Sequence, residues 1–303
     1  MQRRAGVLDE ARAVGRIIGS SLPTGTGRFL ARQRFAVAGS LDPGGRVWAS
    51  LLTGPAGFIE PVDPQLLRLA AQPQPGDPLA DDLAARPELG LLVLDPRTRQ
   101  RMRFNGRGLL SPEGVFLLIE QAYGNCPKYI QLRLPEPDAE TQGAGLTRVT
   151  PALDARQRAA IARADTFFIA SFHPGGGADA SHRGGNPGFV RGLGPDRIAF
   201  DDYPGNTMFN TLGNLVAHPP AGLLFVDFDS GDVLQLTGRA LVRPDFSVVF
   251  EVHEARETPG ASPLRFRFVA NPSAASDHPP QSRRPDHRRR RSLGCPSNGR
   301  QRR

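Results

Sequence analysis

The chain has 303 residues, a formal net charge of +8, and two cysteines, Cys126 and Cys295. That length admits one large domain or two of about 130 residues, either able to bury a core without disulfides. Two distant cysteines exclude a disulfide framework and a zinc cluster, and no apolar run reaches the ~18 residues of a membrane-spanning helix.

Residues 1–27 read as an N-terminal helical segment. "MQRRAGVLDEARAVGRIIGSSLP" is a broken amphipathic helix with Asp9 and Glu10 in it. It lacks the apolar centre of a secretory signal, so a cytoplasmic location is expected.

A first unit spans 28–135. "RFAVAGSLD" (34–42), "VWASLL" (47–52), "LGLLVLD" (89–95) and "RMRFNGRGLL" (101–110) are short, aliphatic or β-branched, and bounded by Gly, Pro or Asp, the pattern of strands. "VFLLIEQAY" (115–123) is predicted as a helix. In "NCPKY", Lys128 is the chain's single lysine among 38 basic residues. In such an arginine-rich background its compact ammonium makes it a candidate binding group, and chance retention is the alternative reading. Residues 136–150, polar and rich in small side chains, read as a linker.

A second unit spans 151–272. "PALDARQRAAIARAD" opens it as a helix, and "TFFIASF", "GFVRGL", "RIAFD", "AGLLFVDF" and "VLQLTGRALVR" follow as strands. "HPGGGADA" (173–180) and "SGD" (230–232) mark hairpin loops. "NTMFNTLGNLVAHP" places Met208, Phe209, Leu212 and Leu215 at helical spacing, with Asn206 or Thr207 as its cap. Strands continue in "VVFEVHEAR" and "LRFRFVA". Short strands with a single helix predict a small closed barrel. Residues 273–303 form an Arg-rich tail: from Asp277 onward it holds nine Arg against two Asp and carries seven of the eight net charges. With so little to bury it is predicted disordered, attracting polyanions without sequence specificity, so no specific nucleic-acid partner is expected.

The units echo each other. "SLLTGPAGF" (50–58) matches "SHRGGNPGF" (181–189) at an offset of 131. "GLLVLD" (90–95) matches "GLLFVD" (222–227), and "NGRGLL" (105–110) matches "TGRALV" (237–242), both at 132. Three anchors in one register point to a tandem duplication.

No nucleophile elbow, Walker loop or dinucleotide fingerprint is present. His173, His182, His218 and His253 lack metal-ligand spacing on a helix. What remains is an anion site. A helix start preceded by Gly205, with Asn206, Thr207 and Asn210 as donors, would meet Arg183 from a neighbouring strand. The first unit has Leu52 where the second has Arg183, and its helix start carries Asp77 and Pro78. The site is therefore expected once, in the second unit. The same residues admit a plainer reading, in which Arg183 pairs with a local carboxylate and Asn206 caps a helix.

"ADASHRGGNPGFVR" with "DDYPGNTMFNTLGNLVAHPPAGLLFVDF" (178–228) resembles the pyridoxamine 5′-phosphate oxidase-like family of FMN-binding split barrels. The first unit, with "GNCPKYIQLR", resembles the N-terminal half of a tandem branch. The resemblance implies a mainly β fold of tandem six-stranded antiparallel split β-barrels with a few short helices, and FMN in a cleft between barrels. It assigns Ser181, His182, Arg183, Gly205, Asn206, Thr207 and Asn210 to the flavin phosphate; Lys128 and Tyr129 either reach the ring or, for Lys128, only anchor the exit strand. It further implies an FMN-dependent oxidoreductase, a homodimer, and NAD(P)H or a ferredoxin-reductase-like partner as electron donor. The alternative is a non-catalytic flavin- or haem-binding module. Oxidases proper carry Ser-Arg-Lys where this helix start reads Gly-Asn-Thr, which leaves fewer cationic contacts to the flavin phosphate and implies weaker binding; their substrate-holding arginines near the end also follow a different pattern from "SPLRFRFVANPSAASD", so vitamin B6 oxidation is not expected.

Overall fold

The computed structural model describes residues 1–137 and 143–272. The predicted tail, Cys295 and the middle of the expected linker lie outside them.

The chain begins with α1 (Gln2–Ala5), closed by Gly6 in the left-handed region, and α2 (Leu8–Gly15), whose first turn carries Asp9 and Glu10 at the positive end of the dipole. Next, α3 (Thr26–Leu30) buries Phe29 and Leu30. A first sheet follows, made of β1 (Phe35–Leu41), β2 (Val47–Thr53), β3 (Ile59–Asp63) and β4 (Leu66–Leu69), then β5 (Glu88–Asp95), β6 (Gln100–Ser111) and β7 (Gly114–Gly124), with α4 (Leu79–Ala85) before β5. Then β8 (Leu132–Pro135), β9 (Arg148–Thr150) and α5 (Ala155–Arg163) lead to a second sheet. Its strands are β10 (Thr166–His173), β11 (Gly177–Gly184), β12 (Val190–Gly192), β13 (Arg197–Phe200), β14 (Pro220–Val226), β15 (Val233–Val242) and β16 (Val248–Thr258). Helix α6 (Asn210–Ala217) precedes β14, and β17 (Phe266–Ala270) ends the described chain.

The two sheets share one strand order. The first runs β2-β1-β5-β6-β7-β4-β3 and the second β11-β10-β14-β15-β16-β13-β12, every pair antiparallel, with β9 added beside β16. Each shared path has seven strands, one more than the six expected. Both paths are open, so the closed barrel predicted from strand spacing is not formed. A register shift follows Asn105 in β6 and Thr237 in β15, at matched positions.

Three sequence expectations change. Residues 115–123 are strand, not helix: Val115, Leu117 and Ile119 are buried while Leu118 and Glu120 are exposed, the two-residue alternation that β6 and β4 select by pairing on either side. Helix α6 starts at Asn210, later than predicted, because Thr207 and Phe209 both adopt positive φ and break the helical path. The expected linker contains strand β9. Helix α5 forms inside the predicted run but starts at Ala155, where Asp154 and Gln157 form a reciprocal capping box.

Strands β1 and β10 are apolar on both faces, and the pleat explains why. Ala36 and Ala38 face the first unit's own core, whereas Phe35, Val37 and Leu41 face a third cluster between the units. In β10, Phe167 and Ile169 face the second core while Phe168, Ala170 and Phe172 join that shared cluster. Each large apolar side chain fully buried there contributes about 1.5–3 kcal/mol. The contact is pseudo-symmetric: a Cβ added at Gly90 would lie 2.5 Å from Asp179 Cα, and one at its counterpart Gly222 2.7 Å from Trp48 Cα. Only glycine permits that approach. Strand β8 of the first half also pairs with β17 of the second.

Candidate functional site

One cavity of about 370 Å³ lies where the two sheets meet. Its walls come from β6 and the loop after β7 on one side, and from the end of β11 and the loop into α6 on the other. Seven of the eight residues singled out from the sequence line it: Lys128, His182, Arg183, Gly205, Asn206, Thr207 and Asn210. Ser181 sits behind them, fully buried. Cys126 is a half-buried free thiol in the same loop as Lys128.

The sequence reading missed Arg101 and Arg103. Two residues apart on β6, they project toward β11 on the same face. Arg103 Nη1 lies 3.0 Å from Asp179 Oδ2, and Nη2 donates to Ser181 Oγ. Burial presses against the Arg103 charge, but Asp179 and Tyr123 outweigh it and raise its pKa. Arg101 has no such support. Its Nη1 lies 3.2 Å from His182 Nδ1, and burial with repulsion from Arg103 and Arg183 pushes its pKa down to about 9, still protonated at neutral pH. The imidazole must accept that bond, which puts its own proton on Nε2. His182 is held well below its ordinary range by burial and by four surrounding arginines, Arg101 foremost, so it stays neutral.

Arg183 follows the plainer of the two sequence readings in part. Its Nη2 lies 3.2 Å from Asp202 Oδ1, and Nη1 donates to Ser181 Oγ at 3.0 Å and to the His182 carbonyl at 3.1 Å. Burial nonetheless lowers the Arg183 pKa and raises that of Asp202, so their attraction does not repay the desolvation of either. Asn206 does not cap α6. Its Oδ1 accepts from Met208 N, and Thr207 Oγ1 donates back to the Asn206 carbonyl. The loop after β7 is tied across the cavity mouth by Tyr129 OH, which donates to the Pro204 carbonyl at 3.0 Å.

Several cavity-lining groups lack partners among the described residues. The Nε atoms of Arg101, Arg103 and Arg183, and both side-chain polar atoms of Asn125, are buried without a hydrogen bond. Three guanidinium groups face two carboxylates, Asp179 and Asp202, beside a neutral imidazole. That imbalance and those unused donors fit an anionic ligand with several acceptor oxygens.

The matching place in the first unit is closed by the protein itself. Asp77 Oδ1 accepts from Ser50 Oγ at 2.6 Å and from Leu79 N at 2.9 Å, and its Oδ2 accepts from Gln235 Nε2 at 2.9 Å. Ser50 corresponds to Ser181 and Gln235 to Arg103, while Leu52, the counterpart of Arg183, is buried in the first core. Burial raises the Asp77 carboxyl to about 6.

Residues 153–275 match the family model described as pyridoxamine 5′-phosphate oxidase. No curated protein matches the chain. Among solved structures, HupZ of Group A Streptococcus is 10% identical, with 35% of this chain and 98% of that one covered and a TM-score of 0.30. An F420 reductase is 14% identical, with coverage of 32% and 91% and a TM-score of 0.24. A protein of Clostridium acetobutylicum related to general stress protein 26, described as of the pyridoxinephosphate oxidase family, is 9% identical, with coverage of 38% and 92% and a TM-score of 0.26. Among the described residues no helix is long and apolar enough to cross a membrane.

Proposed function

We propose that the chain is an FMN-dependent oxidoreductase that moves electrons from NAD(P)H or a partner reductase to a small acceptor. The observation that carries this reading is Arg101, a desolvated cation with no carboxylate partner among the described residues, lining one cavity with His182, Arg183 and the loop into α6. The cavity volume lies within the usual range for small-molecule and cofactor sites, roughly 300–1,000 Å³.

In this reading the flavin phosphate rests against Arg101 and Arg183, with Asn125 and the donors of Asn206, Thr207 and Asn210 completing the polar lining. Bound flavin would supply the electron-transfer chemistry, and the protein supplies position and field. Ser181 holds the forks of Arg103 and Arg183 in place from behind. His182 stays neutral and orients Arg101. Lys128, exposed at the mouth, adds a mobile positive charge that draws in an anion. Two chain halves meet to make the cavity, and the shared strand order supports descent by duplication, with the first copy's site filled by Asp77. Each chain thereby holds a whole site, so the expected homodimer would carry two such sites rather than complete one.

The alternative, a non-catalytic flavin- or haem-binding module, shares the cavity and differs in turnover. Spectra of the purified protein separate the two. A bound flavin that bleaches with NADH or NADPH and recovers with an acceptor is the expected result. A chromophore that neither nucleotide nor a ferredoxin-reductase-like partner reduces would favour the module.

A further inference from the structure

Residues 1–18 cross from one unit to the other. Gly19 is fixed on β7, exchanging two backbone hydrogen bonds with Ala122, and the chain before it reaches the second unit. There Gln2 Nε2 donates to the Met208 carbonyl at 2.9 Å and Arg4 Nη2 to the Arg243 carbonyl at 3.0 Å. The Arg4 guanidinium lies 5.1 Å from the centre of the Phe246 ring, and Met1 adds a partly buried contact with the second core. Beside these anchors, Ala5 and Val7 line the first cavity, the one that holds Arg101 and Arg183. Residues 1 and 2 line a neighbouring cavity of about 380 Å³ that shares Met208, Phe209 and Asn210 with the first.

The hold is slight. Helix α1 has 4 residues and buries none of them; α2 has 8 and buries only Ala11. Isolated helices shorter than about 12–15 residues are marginal in water, so these two persist only while docked. Another wall of the first cavity, β6, is paired by β5 on one side and β7 on the other. The arm is the part free to leave.

What the arm grips is strained. Five non-glycine residues among those described have positive φ, and four of them, Tyr129, Thr207, Phe209 and Phe246, line the first cavity. Gln2 holds the carbonyl of Met208, between Thr207 and Phe209. Arg4 covers Phe246, whose ring lies 5.6 Å from that of Phe209. Arg4, Phe246 and Phe209 thus form one stack beside the loop that carries Asn206 and Thr207. Backbone strain of this kind survives where surrounding contacts over-determine it, and it gathers at ligand clamps and switches.

We infer that residues 1–18 form a strap that opens to admit ligand to the first cavity and latches shut through Gln2 and Arg4. The inference rests on the proposed function only in taking FMN as the ligand retained. Neither latch residue lines that cavity, so removing both changes how readily the strap opens without deleting a ligand contact.

The test is stopped-flow flavin fluorescence on the full chain, comparing the parent with the double variant Gln2→Ala, Arg4→Ala. A loosened gate speeds entry and exit together. The association rate should rise at least about threefold and the dissociation rate at least about tenfold. A rise in one rate alone, or no change in either, would overturn the inference. Hydrogen exchange of residues 5–15 without flavin reads the strap independently. It should quicken roughly tenfold in the double variant, because undocked helices of this length melt, while β5 and β14 stay protected and show the fold intact. Unchanged exchange overturns the strap whether or not FMN binds. Faster exchange in a protein that binds no FMN breaks the flavin reading and leaves the strap standing.

Discussion

Arg183 Nη2 lies 3.2 Å from Asp202 Oδ1, and that pairing leaves Arg101 as the buried cation of the cavity whose charge no carboxylate answers among the described residues. Asp202 also places a negative charge on the wall where the anion is expected. Asp202→Asn should therefore tighten inorganic phosphate binding roughly fivefold, about 1 kcal/mol at the effective dielectric of a partly buried pair. Phosphate titration by calorimetry reads the effect. Unchanged affinity would mean that the carboxylate and the anion do not share this cavity.

Arg103 and Asp179 form a buried ion pair that joins the two units. Asp179→Ala removes one partner and strands the guanidinium, so urea denaturation should show a loss of about 3–5 kcal/mol. Arg103→Met combined with Asp179→Leu should recover much of it, because neither charge is then left alone. A double variant as unstable as the single one would show that the loss comes from packing.

Glycine at 90 lets β5 approach β11. A Cβ there would meet the Asp179 backbone at 2.5 Å, so Gly90→Ala must force the units apart and should cost at least about 1–3 kcal/mol. Gly124→Ala is the control, since nothing lies within 4 Å of its added Cβ; its stability should change by no more than about 0.5 kcal/mol. Equal effects would dissolve the claim of a glycine-dependent contact.

Asp77 gives a pH signature with a definite sign. Its carboxyl is raised from 3.8 to about 6 in the folded chain, so the native state binds more protons than the unfolded one between those values. The stabilisation it provides is whole below about pH 4 and fades as pH rises through about 6. Asp77→Asn should therefore gain thermal midpoint relative to the parent as pH goes from about 4 to about 7. A difference that stays flat, or runs the other way, contradicts a carboxylate whose burial outweighs its three hydrogen bonds.

Much of this architecture is legible in the residues. The anchors "SLLTGPAGF" and "SHRGGNPGF" mark matched turns, with Gly57 and Gly188 at φ 92° and 91°. The strands of both units were readable from alternation and their Gly, Pro and Asp boundaries. Residues 115–123 misled because an aliphatic run fits either period, and only the flanking strands decide it. The lining of the candidate cavity was legible where local chemistry announces it, in Arg183 and the loop into α6. Arg101 and Arg103 were hidden because they reach the cavity from the other unit, across the pseudo-symmetric contact. Their signal lay in the repeat itself: "RMRF" aligns with "VLQL", so two arginines stand opposite Val233 and Gln235. That Arg183 pairs with a carboxylate was the plainer sequence reading; that the partner is Asp202 was beyond reach, since it depends on how β11 and the loop after β13 approach in space.

Everything proposed for the first cavity turns on a single phosphate-directed flavin site per chain, and a side-by-side titration of FMN and riboflavin by flavin fluorescence quenching decides it. One FMN should bind per chain, riboflavin at least about tenfold more weakly, with that difference erased in Arg101→Met. Equal binding of the two flavins, or an Arg101→Met protein that still prefers FMN, would contradict the assignment.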